Sequence, residues 1–226
     1  MAPDAPLSKI GHELLDDPAA DPAVVRESLH HLARSNAWFG GLAAVRAGLR
    51  RLLGGEPLER LTLLDVGTGK GDIPRALEVD FAVRPLGIDR HRAAARLATA
   101  NGVPTAVADG RSLPFGSRAV DVVLVSQLAH HFSPEGIVAL VREVSRVARL
   151  GVVLADLARS RLAQVGFHLG SFVLGFDRVT RADGITSLKR GFRPAELARL
   201  VEEAGFAATV TSHWGARLVA TWHTAR

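Results

Sequence analysis

Two rhythms of apolar and polar residues alternate along this chain. From residue 61, short apolar runs are separated by stretches whose apolar residues recur every three to four positions. LTLLDV (61–66), VRPLGID (83–89), PTAVAD (104–109), VDVVLVSQ (120–127) and LGVVLADL (150–157) read as strands. GDIPRALEVD (71–80), HRAAARLATANG (91–102), PEGIVALVREVSRVA (134–148) and RPAELARLVEEAGF (193–206) read as helices. Pro134 suits a first helical turn and Gly205 a stop. The valine-rich run at 120–127 is the kind found in a central parallel strand covered on both faces. This alternation predicts an α/β fold, a doubly wound and mostly parallel sheet with helices on both sides. The last two runs, ATVTSHW (208–214) and RLVATWH (217–223), have no helix between them and predict an antiparallel hairpin that completes a seven-stranded sheet.

Residues 22–53 read as helical. Pro22 follows Asp21, and Val25, Leu29 and Leu32 recur at helical spacing. AAVRAGLRRLL (43–53) then ends at Gly54-Gly55, a good stop, and RSNAWFGG (34–41) reads as a break between two helices. The expected organisation is an N-terminal helical extension or lid over 1–55 and a main domain over 56–226, with a less regular insertion at about 158–192. The opening MAPDAPLSK lacks an apolar core and reads as a loose terminus, not a signal peptide. No internal repeat or low-complexity tract interrupts this plan.

Composition narrows the chemistry. The chain has 226 residues, enough for one sizeable α/β domain, and 47% of them are hydrophobic. It has no cysteine, which excludes disulfides, thiolate metal sites and covalent cysteine catalysis and suits a reducing, cytoplasmic setting. No apolar run reaches a bilayer-spanning length. The nearest, LAQVGFHLGSFVLGF (162–176), contains His168 and glycines and reads as a greasy helix or lid. The net charge is +5. Apart from Lys9, Lys70 and Lys189 the basic residues are arginines, scattered rather than clustered, so a solvated surface is the simpler reading and a nucleic-acid surface the alternative.

The most specific stretch is LLDVGTGKGD (63–72), where a buried-strand pattern ends in Asp65 and glycines follow at 67, 69 and 71. Bare backbone lets a ligand approach closely because no Cβ intervenes. A phosphate loop of the G-x-x-x-x-G-K-[ST] type is excluded, since Leu64 and Gly71 stand where glycine and a hydroxyl residue would be needed. A G-x-G-x-x-G dinucleotide turn fails at Asp72. Ligands of doubly wound sheets lie beyond the carboxyl ends of the strands. Asp89, in LGIDRH, and Asp109, in VADGRSLPF, end the second and third predicted strands. Each acid also suits a helix N-cap, but acids at three successive strand ends fit a nucleoside, with Asp89 on ribose hydroxyls and Asp109 on a base amino group.

The pattern D-x-G-x-G-x-G over 65–71 resembles motif I of the class I S-adenosylmethionine-dependent methyltransferases, whose fold is Rossmann-like with a terminal antiparallel hairpin. DGRSLPFGSRAVDVV, from Asp109, is similar to the ubiquinone/menaquinone-type small-molecule methyltransferases, although Val120 replaces the usual phenylalanine. RSNAWFGG, ADLARS and DGITSLKRGF together resemble the bacterial methyltransferases found with type III polyketide synthase pathways; Ala182 stands where a histidine often precedes the aspartate-glycine pair. The resemblance implies S-adenosyl-L-methionine as cofactor, held by Asp65, Gly67, Thr68, Gly69, Gly71, Asp89, Arg90, Asp109, Gly110 and Gln127.

In that fold the reacting methyl group points to the end of the fourth strand, which here runs into SQLAHHF (126–132). His130 and His131 are therefore the candidate general bases, for imidazole titrates in the useful range. Packing or helix capping is the alternative role for one of them. Arg34, Asn36 and Trp38 in the N-terminal break, and Arg159, His168, Asp183, Ser187 and Arg190 around the insertion, are candidate acceptor-binding residues. No metal is expected, because adjacent histidines lack the usual four-residue ligand spacing.

The expected reaction is O-methylation of a small, largely apolar hydroxylated acceptor of phenolic or polyketide type. C-methylation of a similar ring is the nearest alternative. An RNA methyltransferase and a non-enzymatic cofactor-binding regulator are more distant ones: SQLA replaces the N/D-P-P-Y type sequence of amino-methylating enzymes, and no cysteine is available to attack a pyrimidine. The expected partner is a small molecule, with no nucleic acid and no membrane span, in a monomer or homodimer.

Overall fold

The structure, a computed structural model, describes residues 13–17, 19–54 and 60–224. The opening MAPDAPLSK and the expected boundary at 55/56 lie outside the described residues. The strands are β1 (Thr62–Val66), β2 (Arg84–Asp89), β3 (Thr105–Val107), β4 (Val120–Ser126), β5 (Ala148–Leu157), β6 (Thr209–His213) and β7 (Arg217–His223). They form one seven-stranded sheet in the order β3-β2-β1-β4-β5-β7-β6. All neighbours up to β5 are parallel, and β7 pairs antiparallel with both β5 and β6.

Helices cover both faces. They are α1 (Pro22–Trp38), α2 (Gly41–Leu53), α3 (Asp72–Phe81), α4 (Arg92–Ala100), α5 (Pro134–Val147), α6 (Arg161–Val173), α7 (Arg178–Arg190) and α8 (Pro194–Glu203). Successive side chains of a strand point to opposite faces, so a strand covered on both sides is apolar throughout. Leu64, Val123, Val125, Leu154 and Trp222 pack with Ile137, Leu140 and Val144 of α5 and Leu197 and Leu200 of α8. Their chain neighbours Leu63, Val122, Leu124 and Val153 pack on the other side with Val45, Leu49 and Leu52 of α2 and with Leu77 of α3. Trp222 also donates its indole N–H to Ser145 Oγ at 2.9 Å, so burying its one polar atom leaves no donor unpaired.

Two sequence expectations change. The break at 34–41 shrinks to Phe39 and Gly40, and α2 is a covering layer of the sheet instead of part of a lid. Residues 34–38 contain neither glycine nor proline, so nothing stops α1 before Gly40, whose φ of 73° ends it. Arg34, Asn36 and Trp38 therefore lie in the last turns of a helix. The irregular insertion is instead a helical pair. Ser160 and Asp177 cap α6 and α7 by accepting the amides of Ala163 and Thr180. α7 is too polar to set an apolar period, and its cap was the only local sign of it.

Leu154 is fully buried at the centre of the sheet. Leu154→Ala is expected to lower unfolding free energy by about 2–5 kcal/mol with an unchanged denaturant slope, measured by guanidinium titration.

Candidate active site

The glycine turn follows β1 directly. The amides of Gly67 and Thr68 both donate to Ile88 O, at 2.8 and 3.0 Å, which ties the turn to β2. Gly67 has φ 78° and Gly69 φ 57°, a backbone region that favours glycine. Asp89 closes the turn from the other side. One carboxylate oxygen accepts Gly69 N–H at 2.9 Å and the other His91 N–H at 2.8 Å. Asp65 is buried beneath the turn, and its Oδ1 has no partner among the described residues. Burial, reinforced by the charges of Asp72 and Asp89, pushes its carboxyl up to about 7.

These groups open into a cavity of about 330 Å³, which brings together Asp65, Gly67, Thr68, Gly69, Asp89, Arg90, Asp109, Gly110 and Gln127 of the expected cofactor residues, with Asn36 from α1. Gly71 does not line it. With φ 78° it begins α3, and a Cβ there would stand 3.0 Å from Val103 Cγ2, so this glycine serves packing. Asp109 lies two residues beyond β3. Arg111 donates to it from its guanidinium at 2.7 Å and its amide at 2.8 Å, which holds the carboxyl below its ordinary value.

A larger cavity of about 580 Å³ adjoins the first and shares Leu15, Leu32, Gln127 and His131 with it. Its wall is mostly apolar, with Phe39, Leu157, Ala163, Phe167 and Phe176 contributing. The 3₁₀ turn Ala129–His131 after β4 carries both candidate histidines. His131 borders both cavities, and its Nδ1 lies 2.7 Å from Asp16 Oδ1. His130 lines only the larger cavity and is 3% exposed. Its Nδ1 lies 2.6 Å from Oδ1 of Asp156, a wholly buried acid near the end of β5, while its Nε2 has no hydrogen-bond partner.

Burial disfavours the His130 imidazolium, but the adjacent Asp156 carboxylate outweighs it and raises the histidine above its ordinary value. Asp156 is correspondingly held below its own despite burial, and it accepts the Leu157 amide at 2.7 Å as well. Sequence reasoning did not single out Asp156 as a site residue. The signal available was a charge inside an apolar strand, which has to be paired.

The N-terminal segment meets these histidines. Glu13 accepts from Arg190 Nη1 at 3.1 Å and Ser187 Oγ at 2.7 Å, and Asp16 from the same Arg190 nitrogen at 3.0 Å. Ligand atoms of Glu13, His130 and His131 lie within 4.8 Å of one another, but Arg190 already supplies Glu13 with positive charge. Another group that the sequence left unmarked is Arg217, the first residue of β7. It lines the larger cavity and is buried, which pulls its guanidinium down to about 10 against the opposing pull of Asp156.

Several predicted acceptor contacts are not brought to either cavity. Arg34 donates to Leu174 O at 2.8 Å and lies over the Phe176 ring, stapling α1 to the turn after α6. Trp38 is 64% exposed. Arg159 donates to Gly191 O at 2.9 Å and pairs with Glu196 at 3.2 Å, fastening β5 to α8. His168 sits on the exposed face of α6, edge-on to Phe172. Arg190 lines neither cavity; it pairs with Glu13, on the larger one, and with Asp16, on the smaller one. Asp183 and Ser187 do line the larger cavity.

Residues 63–151, from β1 to the early part of β5, match a family described as a methyltransferase domain. This chain carries a methyltransferase domain over those residues. The chain is similar in fold to the PH0226 protein from Pyrococcus horikoshii OT3, with a TM-score of 0.63 at 17% identity over 80% of this chain and 89% of that one. A SAM-dependent methyltransferase from Aquifex aeolicus aligns with a TM-score of 0.57 at 18% identity, over 79% of this chain and 89% of the other. The magnesium protoporphyrin IX methyltransferase of Synechocystis PCC 6803, with bound SAH, aligns with a TM-score of 0.57 at 16% identity, over 81% and 83% of the two chains. No curated protein matches the sequence. Among the described residues, no helix is long and apolar enough to cross a membrane.

Asp65 yields a pH test. Between its ordinary 3.8 and about 7 the folded protein keeps a proton that the unfolded chain releases. Raising pH through that window therefore lowers stability, by up to about 1.4 kcal/mol per pH unit. Asp65→Asn is expected to remove this slope, as read from denaturant melts between the two limits.

Proposed function

We propose that the enzyme methylates a hydroxyl oxygen of a small, largely apolar acceptor of phenolic or polyketide type, with His130 as general base. The observation that carries this reading is His130 Nε2, in the wall of the larger cavity, which has no hydrogen-bond partner among the described residues and lies 3.9 Å from Glu13 Oε1, opposite a ring nitrogen held by Asp156. The smaller cavity fits S-adenosylmethionine. Its bare glycine turn admits a ligand at close range, and the orphaned Asp65 oxygen suits an ammonium group. Asp89 would hold the ribose and Asp109 the base, with α1 closing over them as a lid. When bound, the cofactor supplies an activated methyl group on a sulfonium.

The chain's own task is alignment, water exclusion and proton removal. Holding an acceptor oxygen at about 3 Å from its target supplies much of the rate. The apolar wall keeps water away from it. Neutral His130 takes the hydroxyl proton at Nε2, and Asp156 stabilises the imidazolium that forms. His131 and Gln127, on the border of both cavities, orient the two ligands. C-methylation of a similar ring would use the same base. The motif from Asp109 to Val123 and the greasy α6 favour the ubiquinone-type or polyketide-associated subgroup.

His130→Ala is expected to lower kcat by about 100- to 10,000-fold while leaving affinity for S-adenosylhomocysteine within about twofold. Because Asp156 raises His130, the rate should climb with pH to a midpoint above the ordinary 6.5, and Asp156→Asn should move that midpoint down. Steady-state kinetics with alkylresorcinol and pyrone acceptors and labelled cofactor measure both. If cofactor binds and no acceptor in the panel is methylated, this acceptor class is wrong; NMR of any product separates O- from C-methylation.

A further inference from the structure

The wall of the larger cavity contains a buried guanidinium to which no carboxylate of the described residues is bonded. Arg217 is 4% exposed. Its Nε donates to Phe39 O at 3.2 Å, while its Nη1 finds no partner. The acid that acts on it, Asp156, is already bonded to His130 and to the Leu157 amide. A guanidinium offers donors in a rigid planar fork that matches a carboxylate. Burying one without a directly bonded anion is unfavourable, and the great majority of buried donors in native structures have a partner.

Its position says what completes it. Arg217 lines the larger cavity and not the smaller one, so the cofactor's own carboxylate is not its natural partner. β7 runs antiparallel to β5 with Arg217 opposite Leu157, one residue beyond Asp156. The guanidinium and the His130–Asp156 pair therefore occupy the same edge of the sheet and face the same cavity.

We propose that Arg217 recognises a carboxylate on the acceptor, so that the preferred substrate is an apolar hydroxylated acid, not a neutral phenol. This rests on the assignment of the larger cavity to the acceptor. The carboxylate anchors one end of the molecule at Arg217. Its hydroxyl is offered to His130, and its apolar tail lies against α6 and Phe176.

The test compares 2-hydroxy-6-pentylbenzoate with 3-pentylphenol, which differ by the carboxylate alone. Each is titrated calorimetrically into the full chain saturated with S-adenosylhomocysteine. The acid is expected to bind about 10- to 100-fold more tightly than the phenol. Arg217→Met should bring the two within about twofold of each other, with S-adenosylhomocysteine affinity unchanged as the check on folding. Arg217→Lys, which keeps charge and loses the fork, should retain an intermediate preference. Equal binding, tighter binding of the phenol, or binding of neither to the wild-type protein overturns the proposal, as does a preference that survives in Arg217→Met. The wild-type comparison decides even if Arg217→Met does not fold. An acid preference without any methylated product leaves Arg217 in its role and removes the O-methylation reading; methylation of the phenol with no preference for the acid does the reverse.

Discussion

Parallel pairing makes the two ends of a sheet unequal: every strand delivers its last residue to the same edge. Here β1 is the shared reference. It pairs with β2 through Val66 opposite Ile88 and with β4 through Val66 opposite Val125, and β4 in turn sets Ser126 opposite Ala155 of β5. Main-chain bonds fix this register, and a slip of one residue would turn every side chain to the wrong face. The glycine turn, Asp89, the histidine turn and Asp156 thus come together because the ladder leaves them no other place, before any of their side chains interact.

What could be read in the sequence follows from how local each feature is. The buried strands were legible because both faces are covered, which makes 120–126 continuously apolar. The glycine turn, Asp89 and Asp109 were legible because each follows its own strand. The His130–Asp156 pair joins residues 26 apart, and Arg217 meets the cavity only through the hairpin, so no spacing announced them. His168 was misjudged for another reason. α6 is apolar on two sides, with Ala163 and Phe167 on the cavity and Val165 and Leu169 in the open, so its pattern does not say which side turns inward. The length of α1 was underestimated because Asn36 reads as a breaker when in place it is buried and bonded to Gln127.

Burial alone does not fix the behaviour of an acid; its partner does. Asp65 and Asp156 are both sequestered within the protein, at the ends of strands in one sheet. Asp156 sits against an imidazole and a backbone amide and stays ionised. Asp65 has like charges nearby and an unpaired oxygen, and it holds its proton into the neutral range. Asp65 Oδ1, Thr68 Oγ1, His130 Nε2 and Arg217 Nη1 are buried without a hydrogen-bond partner among the described residues, and these four belong to residues that line the two cavities. A fold selected for stability alone would have filled those positions with apolar side chains.

The antiparallel direction of β7 has an evolutionary corollary. Because this strand starts at the edge where its parallel neighbours stop, the tip of the last hairpin, Trp214 to Ala216, forms part of the larger cavity's wall and none of the smaller one's. Insertions or exchanges in that tip can reshape the larger cavity while the glycine turn, more than a hundred residues upstream in sequence, is left untouched. Under the assignment of the two cavities proposed above, methyl donor and methyl recipient fall to separately mutable parts of one sheet, and related chains can diverge in the second without relearning the first.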